Sequence, residues 1–340
     1  MKNNYYLGTV AIDLTYKCPF RCLHCFNTSG EHPEEFTELT DDEWLSATDD
    51  IMKLNVGQLS IGGGEATVRK DLLLDIAYKL QSTESEIEIA MVSNGYLLDE
   101  DLAAKLSAAN VKSVQISVDG FKENYERIRQ MDGGFDRALN AIKCLVDVNV
   151  STAVSFAPTT FNISDLEELV DYLYNMGVRI FRCQPLMLLG RAEKYLKDFI
   201  PTYENYRTIA TIIEQKKIKY PDMYIEWGDP LDHLVRGRIR PGQLSYVTIG
   251  AYGDLFVSPY LPLIFGNIKK HSLQEYLEGG LLDVWSNEFL KKMAEKISDT
   301  NNMDLAALGL PKIFTDSPIE LDVLSANYEK RTQELVNKFF

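Results

Sequence analysis

The chain has 340 residues, enough for one large or two modest domains with a substantial core. Lys and Arg number 35 against 50 Asp and Glu, a formal net charge of −15 that sets net repulsion against DNA or RNA, so no nucleic-acid partner is expected. Apolar residues at 45%, charged residues at 25%, and 21 Gly with 12 Pro describe a folded protein rather than a disordered or collagenous one.

The first four residues carry one Lys and lead straight into an apolar run, without the cleavage pattern of a signal peptide. No later run is long and uncharged enough for a membrane helix. These features predict a cytoplasmic protein with no membrane partner. So little chain precedes the first strand that no leader-binding domain is expected in front of it.

Apolar, β-branched runs predict strands over 7–14, 58–61, 87–92, 114–118, 151–156 and 178–183. Helical spacing between them predicts helices over 41–54, 70–80, 99–109, 135–146 and 164–176, the first opened by Thr40 and Glu43 at capping-box spacing. Such alternation requires parallel pairing through crossovers, hence an α/β fold with an open doubly wound sheet or a full or partial barrel. In barrels the chemistry collects on the loops that follow the strands. Polar clusters fall on four successive ones: Cys18, Cys22 and Cys25; Gly62-Gly63-Gly64-Glu65; Ser93-Asn94-Gly95; and Ser117 with Asp119.

After about residue 217 the rhythm changes. A hairpin is predicted from 246–249 and 254–257 around Ala251-Tyr252-Gly253, then short helices near 272–277 and 283–296. Beyond Pro311 and Pro318 a last helix is predicted near 327–338. We divide the chain into a barrel domain over 1–217 and a smaller α+β extension with a helical tail over 218–340.

Five cysteines are an odd number in a chain too large to need disulfide staples. Three of them form Cys18-Pro-Phe-Arg-Cys22-Leu-His-Cys25, close enough for their thiolates to meet one metal centre. A closed zinc site needs a fourth ligand, which His24 is badly placed to give and His32 could supply. A [4Fe–4S] cluster on three thiolates keeps one iron open to a small molecule.

This loop resembles that of the radical S-adenosylmethionine superfamily, which has the same spacing and an aromatic residue or His before the last Cys. The likeness continues through Gly63-Gly64-Glu65, where Ala66 replaces the usual Pro; through Ser93-Asn94-Gly95; and through Gln115-Ile-Ser117-Val-Asp119-Gly120. It reaches Arg129, although Tyr125-Glu126 stand where His-Asp is usual, and covers about 9–192. It implies a partial (β/α)6 barrel with one [4Fe–4S] cluster on Cys18, Cys22 and Cys25. S-adenosylmethionine would be held by Gly63, Gly64, Glu65, Ser93, Asn94, Ser117, Asp119 and Arg129, with Glu65 on the methionyl amino group and Arg129 on the carboxylate. The implied chemistry is reductive cleavage to a 5′-deoxyadenosyl radical that takes hydrogen from a substrate C–H, fed by a flavodoxin- or ferredoxin-type donor.

Residues 246–285 resemble the SPASM or twitch extension, which normally binds auxiliary clusters through cysteines. This chain has no cysteine after Cys183, and Tyr260 stands where a Cys commonly follows Pro. Cys144 reads as a buried helical thiol. Cys183, at a strand end, is the candidate catalytic hydrogen donor, set against a buried strand Cys. No role is assigned to His233 or His271. The lineage points to modification of a peptide; the alternatives are a small-molecule substrate such as a sugar, amino acid or antibiotic precursor and, more remotely, a non-enzymatic iron–sulfur or zinc protein.

Overall fold

Strand β1 (Leu7–Thr15) buries Val10, Ile12 and Leu14 on one side and turns the half-buried Ala11 and Asp13 to the other, the period-2 alternation of a strand with two unlike faces. Helix α1 (Asp41–Met52) begins at the expected capping box, in which Glu43 N donates to Thr40 Oγ1 at 3.2 Å and Thr40 N to Glu43 Oε2 at 2.8 Å. In this computed structural model, which describes residues 5–32, 37–83, 85–297, 299–301, 303, 305–312 and 316–340, the stretch 1–4 read above for a targeting signal lies outside the described residues.

Then come β2 (Val56–Gly63), α2 (Lys70–Ser82), β3 (Glu88–Ser93), α3 (Glu100–Ala108), β4 (Val111–Ser117), α4 (Lys122–Arg129), α5 (Gly134–Asp147), β5 (Ser151–Phe156), α6 (Leu166–Asn175) and β6 (Ile180–Cys183). Helices α7 (Arg191–Tyr195) and α8 (Tyr203–Lys219) lead to β7 (Tyr224–Trp227). Strands β1 to β7 lie side by side in chain order, all parallel, as strand–helix alternation demands.

The second segment adds to the same sheet. After α9 (Asp232–Ile239), β8 (Tyr246–Ile249) pairs parallel to the free side of β1, and β9 (Leu255–Phe256) returns antiparallel through the predicted hairpin. The order is β7-β6-β5-β4-β3-β2-β1-β8-β9, and the edge strands β7 and β9 do not pair, so the barrel stays open. A short pair, β10 (Leu263–Ile264) with β11 (Ile319–Glu320), and helices α10 (Leu273–Glu278), α11 (Glu288–Lys296) and α12 (Tyr328–Phe339) complete the extension. The sheet thus takes six strands from before residue 217 and three from after it, and one apolar core runs from Leu7 to Val336. No helix among the described residues is long and apolar enough to cross a membrane.

Candidate active site

The loops after β1 to β4 meet over a cavity of about 390 Å³ lined by Cys18, Cys22, Cys25, Gly62, Gly63, Gly64, Ser93, Asn94, Ser117, Asp119 and Arg129. The cysteine loop is pinned at several points. Glu38 accepts from Tyr16 N at 2.7 Å and from Thr15 Oγ1 at 2.8 Å. Arg21 donates to the Cys18 and Gly30 carbonyls, each at 2.8 Å. Arg191, from the start of α7, donates to the Cys22 carbonyl at 2.8 Å and the Ser29 carbonyl at 3.1 Å and pairs with Glu31 at 3.0 Å. Gly190 (φ +56°) lets that segment pass: a Cβ there would stand 2.4 Å from the Phe26 carbonyl oxygen.

The β2 loop is zipped onto the same loop. Gly64 N donates to the Thr15 carbonyl at 2.8 Å and Glu65 N to the Lys17 carbonyl at 3.0 Å. Such approach needs glycine, because a Cβ at Gly63 (φ +111°) would lie 2.4 Å from the Thr15 oxygen.

Each cysteine sulfur has a polar neighbour. Asn94 Nδ2 and Arg129 Nη1 donate to Cys18 and Cys22, each at 3.8 Å, and Cys25 Sγ donates to Asn27 Oδ1 at 3.1 Å. Burial pushes the Cys18 thiol up to about 11 and the Cys22 thiol up to about 12, with Arg129 acting in the opposite direction on both. Such thiols ionise readily only against added positive charge, which a metal centre provides.

Arg129 is buried, and its Nη2 pairs with Asp119 Oδ2 at 2.5 Å. Burial works against the guanidinium's charge, but Asp119, Cys22 and Tyr125 outweigh it and hold the group protonated beyond its ordinary range. Asp119 also accepts from Ala157 N at 2.7 Å, and its Oδ2 lies 3.4 Å from His24 Nε2. Burial lowers the His24 pKa to about 4.

Glu65, which the motif implies for the methionyl amino group, is held at the junction of the β2 and β3 loops. It is 1% exposed and does not line the cavity. Its Oε1 accepts from Thr67 N at 3.1 Å, Thr67 Oγ1 at 2.6 Å and Ser93 Oγ at 2.9 Å, and its Oε2 from Asn94 N at 2.7 Å. The carboxylate thus brackets the β2 loop to the end of β3.

Cys183 lies on the face away from the cavity. Along β6 and just beyond it, Arg182 meets Gln115 of the lining and Gln184 itself lines the cavity, so the residue between them points to the packed side, where Cys183 is fully buried in the apolar core. This geometry gives its thiol no path to a substrate in the cavity. Cys144 is half-buried on α5, its sulfur 3.6 Å from Asn140 Nδ2. His32 is engaged elsewhere, with Nε2 2.7 Å from the Asn27 carbonyl and its ring stacked on Tyr16.

Sequence reasoning missed other members of the lining, among them Asp13 of β1, Asn27, Gln184 and Tyr246 of β8. For Asp13 the available signal was an acidic residue breaking the apolar pattern of the first strand.

The chain's own groups fit the implied cofactors. Arg129 Nε and His24 Nδ1 are buried without hydrogen-bond partners beside the cysteines. At Gly62 an added Cβ would meet nothing within 4 Å, which leaves a bare backbone shelf on the cavity. Among the described residues no three His, Cys, Asp or Glu side chains converge as a shell for a single metal ion, whereas three thiols around one cavity suit a wider cluster.

The Radical SAM superfamily matches residues 12–173. PqqA peptide cyclase of Granulibacter bethesdensis is 30% identical over 82% of this chain and 74% of its own length. Mycofactocin maturase MftC of Mycolicibacterium smegmatis is 28% identical over 83% of this chain and 71% of its own. The chain spans about half the length of some other curated relatives. Among solved structures, SuiB of Streptococcus suis bound to S-adenosylmethionine superposes with a TM-score of 0.69 at 14% identity, covering 88% of this chain and 76% of that one. Such a likeness shows a shared fold.

Proposed function

The chain belongs to the radical S-adenosylmethionine superfamily, a family of enzymes that bind a [4Fe–4S] cluster and S-adenosylmethionine, and on that premise we propose that it modifies a peptide. The observation that carries the radical chemistry is the meeting of three thiols, a bare glycine shelf and the Asp119–Arg129 pair in one cavity at the ends of parallel strands. When bound, the two cofactors supply a 5′-deoxyadenosyl radical that takes a hydrogen atom from a substrate C–H.

The chain's residues have separable parts in this. Cys18, Cys22 and Cys25 would hold the cluster, with the Asn94 and Arg129 N–H groups on two of the sulfurs favouring the thiolates. Gly63, Gly64, Ser93, Asn94 and Ser117 line the cavity and would border S-adenosylmethionine there. Arg129, fixed by Asp119, keeps a cation there for its carboxylate. Glu65 acts through position, setting Ser93 and Asn94. One cluster is proposed, about four irons per chain, since Tyr260 and not a cysteine follows Pro259. The electron comes from a flavodoxin- or ferredoxin-type donor.

The likeness to a peptide cyclase supports the peptide as substrate. The test is a deuterium-labelled candidate precursor peptide incubated anaerobically with enzyme, S-adenosylmethionine and reductant. Deuterium in 5′-deoxyadenosine is the expected result. Transfer from a labelled sugar or free amino acid, with none from any peptide, would replace this reading by the small-molecule one.

A further inference from the structure

Asp13 is an acidic side chain on the inner face of β1, in the lining of the same cavity. Among the described residues it takes part in no ion pair; its recorded partner is the Tyr16 phenol. The two arginines of the lining are committed elsewhere, Arg129 to Asp119 and Arg191 to Glu31 and backbone carbonyls. A carboxylate facing a cavity without a cation is costly unless something that enters the cavity compensates it. Burial accordingly pushes the Asp13 carboxyl up to about 7.

In the β1–β2 register Asp13 stands opposite Gly62, at the border of the glycine shelf. On the other flank Tyr246 is close enough to interact electrostatically with Asp13, and its hydroxyl accepts from Thr248 Oγ1 at 2.9 Å, which leaves its own hydrogen to donate. Tyr260 lines the cavity too, its phenol hydrogen-bonded to Gln184 and its ring edge-on to Phe26. One anion, two phenols and an amide make a pocket for a cation: charge complement from the carboxylate, ring faces for the ammonium or guanidinium, and oxygen acceptors for its N–H groups. Tyr246 and Tyr260 come from the extension, so this part of the lining is built jointly by barrel and extension.

Resting on the peptide reading above, we propose that Asp13, with Tyr246, Tyr260 and Gln184, forms a subsite that receives one positively charged side chain, lysine or arginine, of the substrate peptide. The extension then has a task that needs no auxiliary cluster, which is to wall a charge-selective pocket.

The test uses reconstituted holoenzyme with S-adenosylmethionine and no reductant, and two probes of matched shape, N-acetyl-lysine methylamide and N-acetyl-norleucine methylamide. Binding is read by saturation-transfer NMR. Wild type should prefer the lysine probe by roughly tenfold; Asp13→Asn should bring the ratio to about one, and Asp13→Glu should restore most of it. Iron content and S-adenosylmethionine affinity should match wild type in both variants. Equal binding of the two probes, binding of neither, or a lysine preference that survives Asp13→Asn would overturn the proposal. So would a selective loss of S-adenosylmethionine affinity in Asp13→Asn, which would assign the carboxylate to the cofactor. Failure of the peptide reading shows separately, as the absence of label transfer from any peptide in the assay above.

Discussion

Replacing Glu65 by Gln separates a structural bracket from a cofactor ligand. The buried carboxylate accepts four hydrogen bonds, three on Oε1 and one on Oε2. A glutamine that keeps its oxygen at the Oε1 position still accepts three of these hydrogen bonds, without their charge assistance, and it turns an NH2 group against Asn94 N–H. An orphaned buried donor costs about 1–3 kcal/mol, and bonds to a neutral acceptor are weaker than bonds to a charged one, so the loss should total about 3 kcal/mol. At roughly 2.1 cal/mol/K per residue, a chain this long changes Tm by about 1.4 °C per kcal/mol, so Glu65→Gln should melt about 4 °C lower and Glu65→Ala lower still. The assay is anaerobic differential scanning calorimetry of cluster-free protein. A variant that melts with the parent and loses only S-adenosylmethionine affinity would refute the bracket and restore the carboxylate to the methionyl amino group.

Three further outcomes follow from the same geometry. Asp119→Ala strands the buried Arg129 guanidinium and should cost about 3–5 kcal/mol in urea unfolding, part of it recovered in the Asp119→Ala/Arg129→Met double variant. Gly190→Ala forces a Cβ onto the Phe26 carbonyl at positive φ, should cost about 2 kcal/mol or more, and should lower the iron retained after reconstitution, read by iron and sulfide analysis. The Asp13 carboxyl, raised from 3.8 to about 7, contributes stability that is full below pH 3.8 and lost as pH rises through 7. Asp13→Asn should therefore gain on wild type between pH 4 and pH 8, by at most about 4 kcal/mol, in unfolding curves taken across that range.

The first six strands were readable because each is a short apolar run between turn residues, and the observed bounds differ from the expected ones by a few residues. Helix α4 was hidden by its composition: Lys-Glu-Asn-Tyr-Glu-Arg-Ile-Arg offers little apolar periodicity, and it buries Tyr125, Ile128 and Arg129. Helix α8 buries only Ile209, Ile213 and Lys216 of 17 residues, and β7 is a four-residue edge strand, so neither carries a strong pattern. The joining of β8 to β1 is a pairing between residues more than 200 positions apart, which local signals do not encode.

The site divides in the same way. The cysteines, glycines, Ser93, Asn94 and Ser117 share the cavity because they sit at successive strand ends, a rule of topology that sequence order already contains, and Arg129 joins them from the last turn of α4. The surroundings of Glu65 and Cys183 were not legible. The first depends on where four donors point, and the second on which face of a four-residue strand a side chain takes. Asp13 left only the faint signal of an acidic residue in a mostly apolar strand, and Tyr246, at the head of Tyr-Val-Thr-Ile, left none.

The radical chemistry proposed for this chain requires Cys18, Cys22 and Cys25 to hold a redox centre in this cavity. The most direct measurement is chromatographic detection of 5′-deoxyadenosine after anaerobic reconstitution and reduction in the presence of S-adenosylmethionine, for wild type and for each Cys→Ala variant. Wild type should form it and all three variants should not, with the triple variant essentially free of iron. A wild-type protein that carries a full cluster and forms no 5′-deoxyadenosine with substrate present, or a triple variant that still does, would contradict it.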